Sequence, residues 1–222
     1  MKDYHTHHPS PHGGYICAVT RSDWERIART EGMTPCFGIH PWHAHEADAA
    51  ELAFELDDWL TRYPEAGVGE TGLDASPRHA DTLEAQRLML HIHLGAAFRH
   101  ERMVHLHGVH AWSELLELLR ERHKCGTLPR FLLHAWNGSH EMAREFLQLG
   151  GFFGIAPSGT DLGKPSGAIA RKACLHCQLI GRLAVGAPGD LQIGFSLLLG
   201  DGRLARTAPQ RCRAQHGQQG QK

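Results

Sequence analysis

Asp3-Tyr4-His5-Thr6-His7 places two histidines two residues apart, almost at the start of a 222-residue chain. On an extended strand, side chains alternate between faces, so His5 and His7 point the same way. Two imidazoles on one face at a strand's end can share one divalent metal ion. The spacing alone says little in a chain with 19 histidines. Its weight comes from the later strand ends, several of which also stop on His or Glu.

Beyond this stretch, short apolar runs alternate with helical patterns. Strands are predicted at residues 2–5, 15–20, 35–39, 67–70, 103–107, 130–134 and 152–155. Only residues 8–14 separate the first two strands, too few for a helical crossover, so the first connection is a loop. Helices are predicted at 22–31, with Ser22 as N-cap, and at 46–62, with Leu52, Leu56, Trp59 and Leu60 along one stripe. The next is 81–100, with Leu83, Leu90, Leu94 and Phe98 on its buried face. Helices at 111–122 and 139–149 follow, the last ended by Gly150-Gly151.

This alternation predicts a parallel α/β sheet. Seven strands within about 155 residues predict a small TIM-type (β/α)8 barrel with its first helix missing. An open doubly wound sheet is the other arrangement the rhythm permits. From about residue 176 the rhythm fails, leaving 182–187 as an irregular candidate for the eighth strand. The barrel is therefore expected to span residues 1–204, with 176–204 poorly matched. Residues 205–222, poor in large apolar side chains, are expected to be a disordered tail.

Lys and Arg number 23 against 24 Asp and Glu, so the chain has no basic excess of the kind that grips long duplex DNA. Any nucleic-acid contact is expected to be local. No apolar run reaches membrane-spanning length, and the opening residues enter a polar strand rather than a leader. The six cysteines are scattered, which suits a reducing compartment. A cytoplasmic protein with no membrane contact and no obligate protein partner is the expectation. Cys174 and Cys177 have C-x-x-C spacing, but no second pair accompanies them.

A barrel carries its chemistry at the C-terminal ends of its strands. Those ends hold His5, His7, Glu70, His107 and His134. Taken singly, each has a plain structural alternative: a core histidine, a loop-packing residue or a turn acid. Taken together at one end of successive strands, they form a ligand set for divalent ions such as Mg, Mn or Zn. Glu70 is the lone acid in the set, so it is expected to bridge two ions, with His5 and His7 on one and His107 and His134 on the other. His105 shares the face of His107 but lies one pair deeper.

Several motifs resemble the TatD family of metal-dependent deoxyribonucleases. They are Asp3-Tyr4-His5-Thr6-His7, Gly38-Ile39-His40-Pro41, Gly69-Glu70-Thr71-Gly72-Leu73-Asp74, Val104-His105-Leu106-His107 and Leu133-His134-Ala135-Trp136-Asn137-Gly138. They cover roughly residues 1–160, in the family's order. The resemblance implies a TIM barrel, two divalent ions on His5, His7, Glu70, His107 and His134, and hydrolysis of DNA phosphodiesters at ends or in single strands. It also implies a catalytic aspartate after the eighth strand, and that acid is missing where 182–190 falls. Asp190 and Asp201 are the nearest substitutes. Two further functions stay open at this level. One is a non-catalytic or weakly active metal-binding relative. The other is an amidohydrolase-type enzyme on the same barrel, which would commonly carry a Lys at a middle strand's end; none is present there.

Overall fold

A computed structural model describes residues 3–154. Seven strands form one sheet: β1 (Asp3–Thr6), β2 (Gly14–Cys17), β3 (Met33–Phe37), β4 (Gly67–Asp74), β5 (Val104–Val109), β6 (Phe131–Leu133) and β7 (Phe152–Phe153). Their spatial order repeats their chain order, and every neighbouring pair is parallel. Five helices pack around the sheet: α1 (Trp24–Ala28), α2 (Ala49–Arg62), α3 (Leu83–Arg99), α4 (Trp112–Lys124) and α5 (His140–Gln148). No helix lies between β1 and β2, as the short connection requires. The candidate eighth strand, the tail from 205, Asp190, Asp201 and the Cys174/Cys177 pair lie outside the described residues.

The sheet is curled. In a flat sheet with strands ~4.8 Å apart, β1 and β6 would be separated by ~24 Å. Instead the ring of His5, on β1, stacks on that of His134, just past β6, with centroids 3.6 Å apart. That curl, the all-parallel order and the outer helices make the fold an α/β barrel, the architecture the alternation predicted.

Several boundaries differ from the sequence-based expectation, each for a local reason. The first helix is shortened to Trp24–Ala28 by a 3-10 turn at Arg21–Asp23. Asp23 Oδ2 accepts from the backbone of Val19 and Thr20, at 3.0 and 2.9 Å, and so ends the extended chain there. The second helix begins at Ala49, not 46. Asp48 caps it by accepting from Glu51 N at 2.8 Å, and Pro41–Glu46 form a separate 3-10 helix. β4 runs on to Asp74, past the expected end at Glu70, because it stays paired with β5 through Asp74↔Val109.

The core lies between sheet and helices. Ile16, Phe37, Val68, Leu106 and Phe131 from the strands meet Trp24, Leu56, Leu60, Leu90 and Leu94 from the helices, all fully buried. Each such side chain contributes roughly 1.5–3 kcal/mol. On α3 the buried face differs from the predicted stripe. Leu90 and Leu94 are buried, but Phe98 is exposed, and the face is completed by Gln86, Met89, His93 and Ala97. Two polar residues there obscured the apolar periodicity. Both grip strand ends. Gln86 Oε1 accepts from Asp74 N at 2.7 Å, and His93 Nε2 accepts from Ile39 N at 3.1 Å.

Candidate metal centre

Glu70 sits inside β4 between two glycines with left-handed backbone, Gly69 (φ 135°) and Gly72 (φ 150°). A Cβ on Gly72 would come within 2.0 Å of His107 O, and one on Gly69 within 2.7 Å of His105 O. Only glycine lets β4 approach β5 this closely at those backbone angles. The result is a carboxylate 1% exposed, held in the mouth of the curled sheet.

Histidines from several elements converge on it. His5 Nε2 and His7 Nε2, on and just past β1, each lie 3.0 Å from Glu70 Oε2. His107 Nδ1, on β5, lies 2.8 Å from Glu70 Oε1. His40, which follows β3, brings its Nε2 to 3.8 Å from Oε1 and 3.2 Å from His107 Nδ1. His134 stacks on His5 and joins His5 and Glu70 in one group of ligand atoms, all within 4.8 Å of one another. A second such group contains His40, Glu70 and His107.

All five residues expected from the sequence therefore surround one point. Their division differs from the expected one: His134 falls with His5 rather than with His107, and His107 falls with His40. His40 was not counted among the expected ligands. The signal for it was available, because it directly follows a strand end, as the others do. Asp74 was missed too. It ends β4 3.5 Å from His107 Nε2, and accepts from Trp42 Nε1 at 2.7 Å and from Ser76 N at 2.9 Å.

The electrostatics suit neutral imidazoles around an ionised acid. Burial opposes ionisation of Glu70, but the attraction of His5 and the close approach of the His107, His5 and His7 imidazole nitrogens outweigh it. They hold the carboxyl well below the usual carboxylate range. His5 is pushed down by burial, against the attraction of Glu70. Burial likewise pushes His40 and His134 down to about 3. His7 alone of these is raised, chiefly by its 3.0 Å contact with Glu70. Asp74 is lowered to about 2: burial opposes this, and the hydrogen bonds from Ser76 and Trp42 prevail.

These residues fit divalent ions. Glu70 Oε2 and His107 Nε2 are buried yet make no hydrogen bond among the described residues, although imidazole or carboxylate atoms crowd them. His7 Nδ1 lies 3.0 Å from Cys17 O, and only an N–H can face a carbonyl oxygen at that distance. Its Nε2 lone pair is thereby turned toward Glu70, the arrangement typical of a ligating histidine.

Deoxyribonuclease TATDN3 of Homo sapiens is 34% identical over 136 residues, covering 57% of this chain and 48% of its own. Putative deoxyribonuclease TATDN3 of Mus musculus is 32% identical over 136 residues, covering 57% and 45%. The chain thus spans about half the length of the curated relatives it matches. Among solved structures, YJJV, a TatD homologue from Escherichia coli K12, superposes with a TM-score of 0.63 at 25% identity, covering 72% of this chain and 62% of that one. A TatD family hydrolase from Entamoeba histolytica, at 17% identity and TM-score 0.58, covers 72% and 56% and shares the fold. The model of the TatD related DNase family matches residues 16–177, well over half of the sequence, and this chain belongs to that family.

Proposed function

We propose that this chain is a metal-dependent hydrolase that cleaves DNA phosphodiester bonds, acting on ends or single strands, with two divalent ions held by His5, His7, Glu70, His107 and His134. His40 would complete the ligands on the His107 side. One observation carries the reading: both oxygens of a single buried carboxylate face imidazoles, Oε2 toward His5 and His7, Oε1 toward His107. Support also comes from relatives named as deoxyribonucleases. Bound divalent ions would polarise a phosphate oxygen and make water a nucleophile near neutral pH.

The chain's own residues have separate tasks. Glu70 supplies negative charge to both halves of the centre. Asp74 faces His107 and fixes its ring. His40 and His134 stay unprotonated near neutral pH and so remain able to ligate. The near-zero charge balance favours short or single-stranded DNA over long duplex.

A second reading is a weakly active or non-catalytic metal-binding relative. The observation favouring it is that no acid stands in the sequence where the family's eighth-strand aspartate belongs. The test is metal content by mass spectrometry on purified protein, then hydrolysis of bis-p-nitrophenyl phosphate and of a short single-stranded oligonucleotide. Bound metal with turnover of both supports the nuclease. Stoichiometric metal without turnover selects the second reading. Duplex binding with a steep salt slope would overturn the substrate preference.

A further inference from the structure

Behind the centre, deeper in the curled sheet, lies a second cluster of different chemistry. Cys17 ends β2 and Cys36 lies on β3; the two are register partners, so their side chains share a face. Both are buried thiols outside any disulfide. His105, on β5, is fully buried beside them. His5 Nδ1, on the side of the ring away from Glu70, lies 3.4 Å from Cys17 Sγ and 3.4 Å from His105 Nδ1. Gly67 leaves room for the second sulfur: a Cβ there would lie 2.7 Å from Cys36 Sγ.

We propose that Cys17, His105 and the Nδ1 face of His5 form a separate site for a thiophilic metal ion, of the Zn²⁺ or Cu⁺ class, with the Cys36 thiol beside it. The three ligand atoms of His5, Cys17 and His105 all lie within 4.8 Å of one another. The two separations of 3.4 Å match a metal tetrahedron. With bonds near 2.0–2.1 Å to nitrogen and 2.3 Å to sulfur, its edges are roughly 3.3–3.6 Å. Between the two imidazole nitrogens, 3.4 Å is long for a hydrogen bond.

Donor type separates the two sites. The front centre offers imidazole and carboxylate, suited to Mg, Mn or Zn; the rear offers thiolate and imidazole, which select softer ions. Filling the rear site removes the proton from Cys17 and from His5 Nδ1. The same ring presents its other nitrogen to Glu70, so the rear ion would tune the ligand shared with the front.

The test uses Co²⁺ added to metal-free full-length protein. Cobalt bound by thiolate gives an intense sulfur-to-metal charge-transfer band in the near ultraviolet, and cobalt bound by imidazole and carboxylate does not. The band is expected in the parent chain, lost in Cys17→Ser and kept in Glu70→Gln, which alters only the front. His105→Gln is a second probe should Cys17→Ser fail to fold, and it should weaken cobalt affinity at least tenfold. A parent chain without the band overturns the proposal. So does a band of undiminished intensity in Cys17→Ser, since another thiolate would then be its source. Nuclease activity enters none of these readouts, so the rear site stands or falls apart from the function proposed for the front.

Discussion

His93 on α3 and His107 on β5 are both histidines held largely away from water, and their surroundings differ. His93 has each ring nitrogen matched: Nδ1 donates to Met89 O at 2.6 Å and Nε2 accepts from Ile39 N at 3.1 Å. One donor meets one acceptor, and nothing is left over. His107 shares Glu70 with His5 and His7, while its Nε2 is buried without a hydrogen bond among the described residues. A histidine that completes its pairs holds the fold together. Histidines that outnumber their acceptors imply a missing positive partner, because a buried polar atom without one is destabilising.

The largest effect expected from breaking this contrast is at Glu70. Glu70→Ala removes the one carboxylate facing both halves of the centre. Calorimetric titration with Mn²⁺ should show both binding events lost, and turnover of bis-p-nitrophenyl phosphate should vanish. Retention of full metal occupancy would mean that the histidines suffice and that Glu70 bridges nothing.

A smaller loss is expected at Asp74, which touches His107 without being counted among the ligands. Asp74→Asn keeps the bond from Trp42 but weakens the orientation of His107. Metal affinity should fall by about 10–100-fold while the melting temperature changes little. An unchanged affinity would make Asp74 a turn residue and no more.

The opposite pattern is expected at His93. His93→Leu strands Ile39 N and should cost about 1–3 kcal/mol of stability by chemical denaturation, with metal stoichiometry unchanged. The same variant should alter acid sensitivity. Burial pushes His93 down to about 4 from an unfolded value of 6.5. The unfolded chain therefore binds more protons between those values. Stability is fully present above pH 6.5 and is lost as pH falls toward 4, by on the order of 3 kcal/mol from this group. In His93→Leu that share of the acid slope should disappear. An identical slope in both proteins would place the acid sensitivity elsewhere.

The smallest effect is expected at the surface. Arg21 donates to Glu55 at 2.8 Å and lies over Trp24 and Trp59, 4.7 and 5.3 Å from their ring centroids. Glu55→Gln keeps the packing and removes the charge. Its cost should stay below about 1 kcal/mol, because solvent screens the exposed pair. A larger cost, measured by thermal denaturation at low and high salt, would show that charge rather than stacking fixes Arg21.

The same contrast explains what the sequence made legible. The strands that carry or lead into His5, His7, Glu70, His107 and His134 were readable because period-2 alternation and βα rhythm place them without knowledge of packing. The absence of a helix between β1 and β2 followed from chain length alone. The face of α3 was misread at Phe98 because Gln86 and His93 occupy core positions that an apolar pattern cannot announce; their partners, Asp74 and Ile39, are distant in sequence. His40 follows a strand end as the others do, but which ligands it joins was not legible. Its place depends on the curl that swings the end of β3 toward β5, and curl is a property of the whole sheet. The pairing of His134 with His5 was hidden in the same way.

That curl has a kinetic side. Because strand order repeats chain order, each strand can join the one synthesised just before it, and the sheet can grow as the chain leaves the ribosome. The metal centre cannot grow in this manner. His5 lies on β1 and His7 just past it, whereas His134 follows β6. A nascent chain halted before His134 would carry most of the described sheet and only part of the ligand set, so capture of metal waits until β6 has been made and β1 has been brought round to meet it.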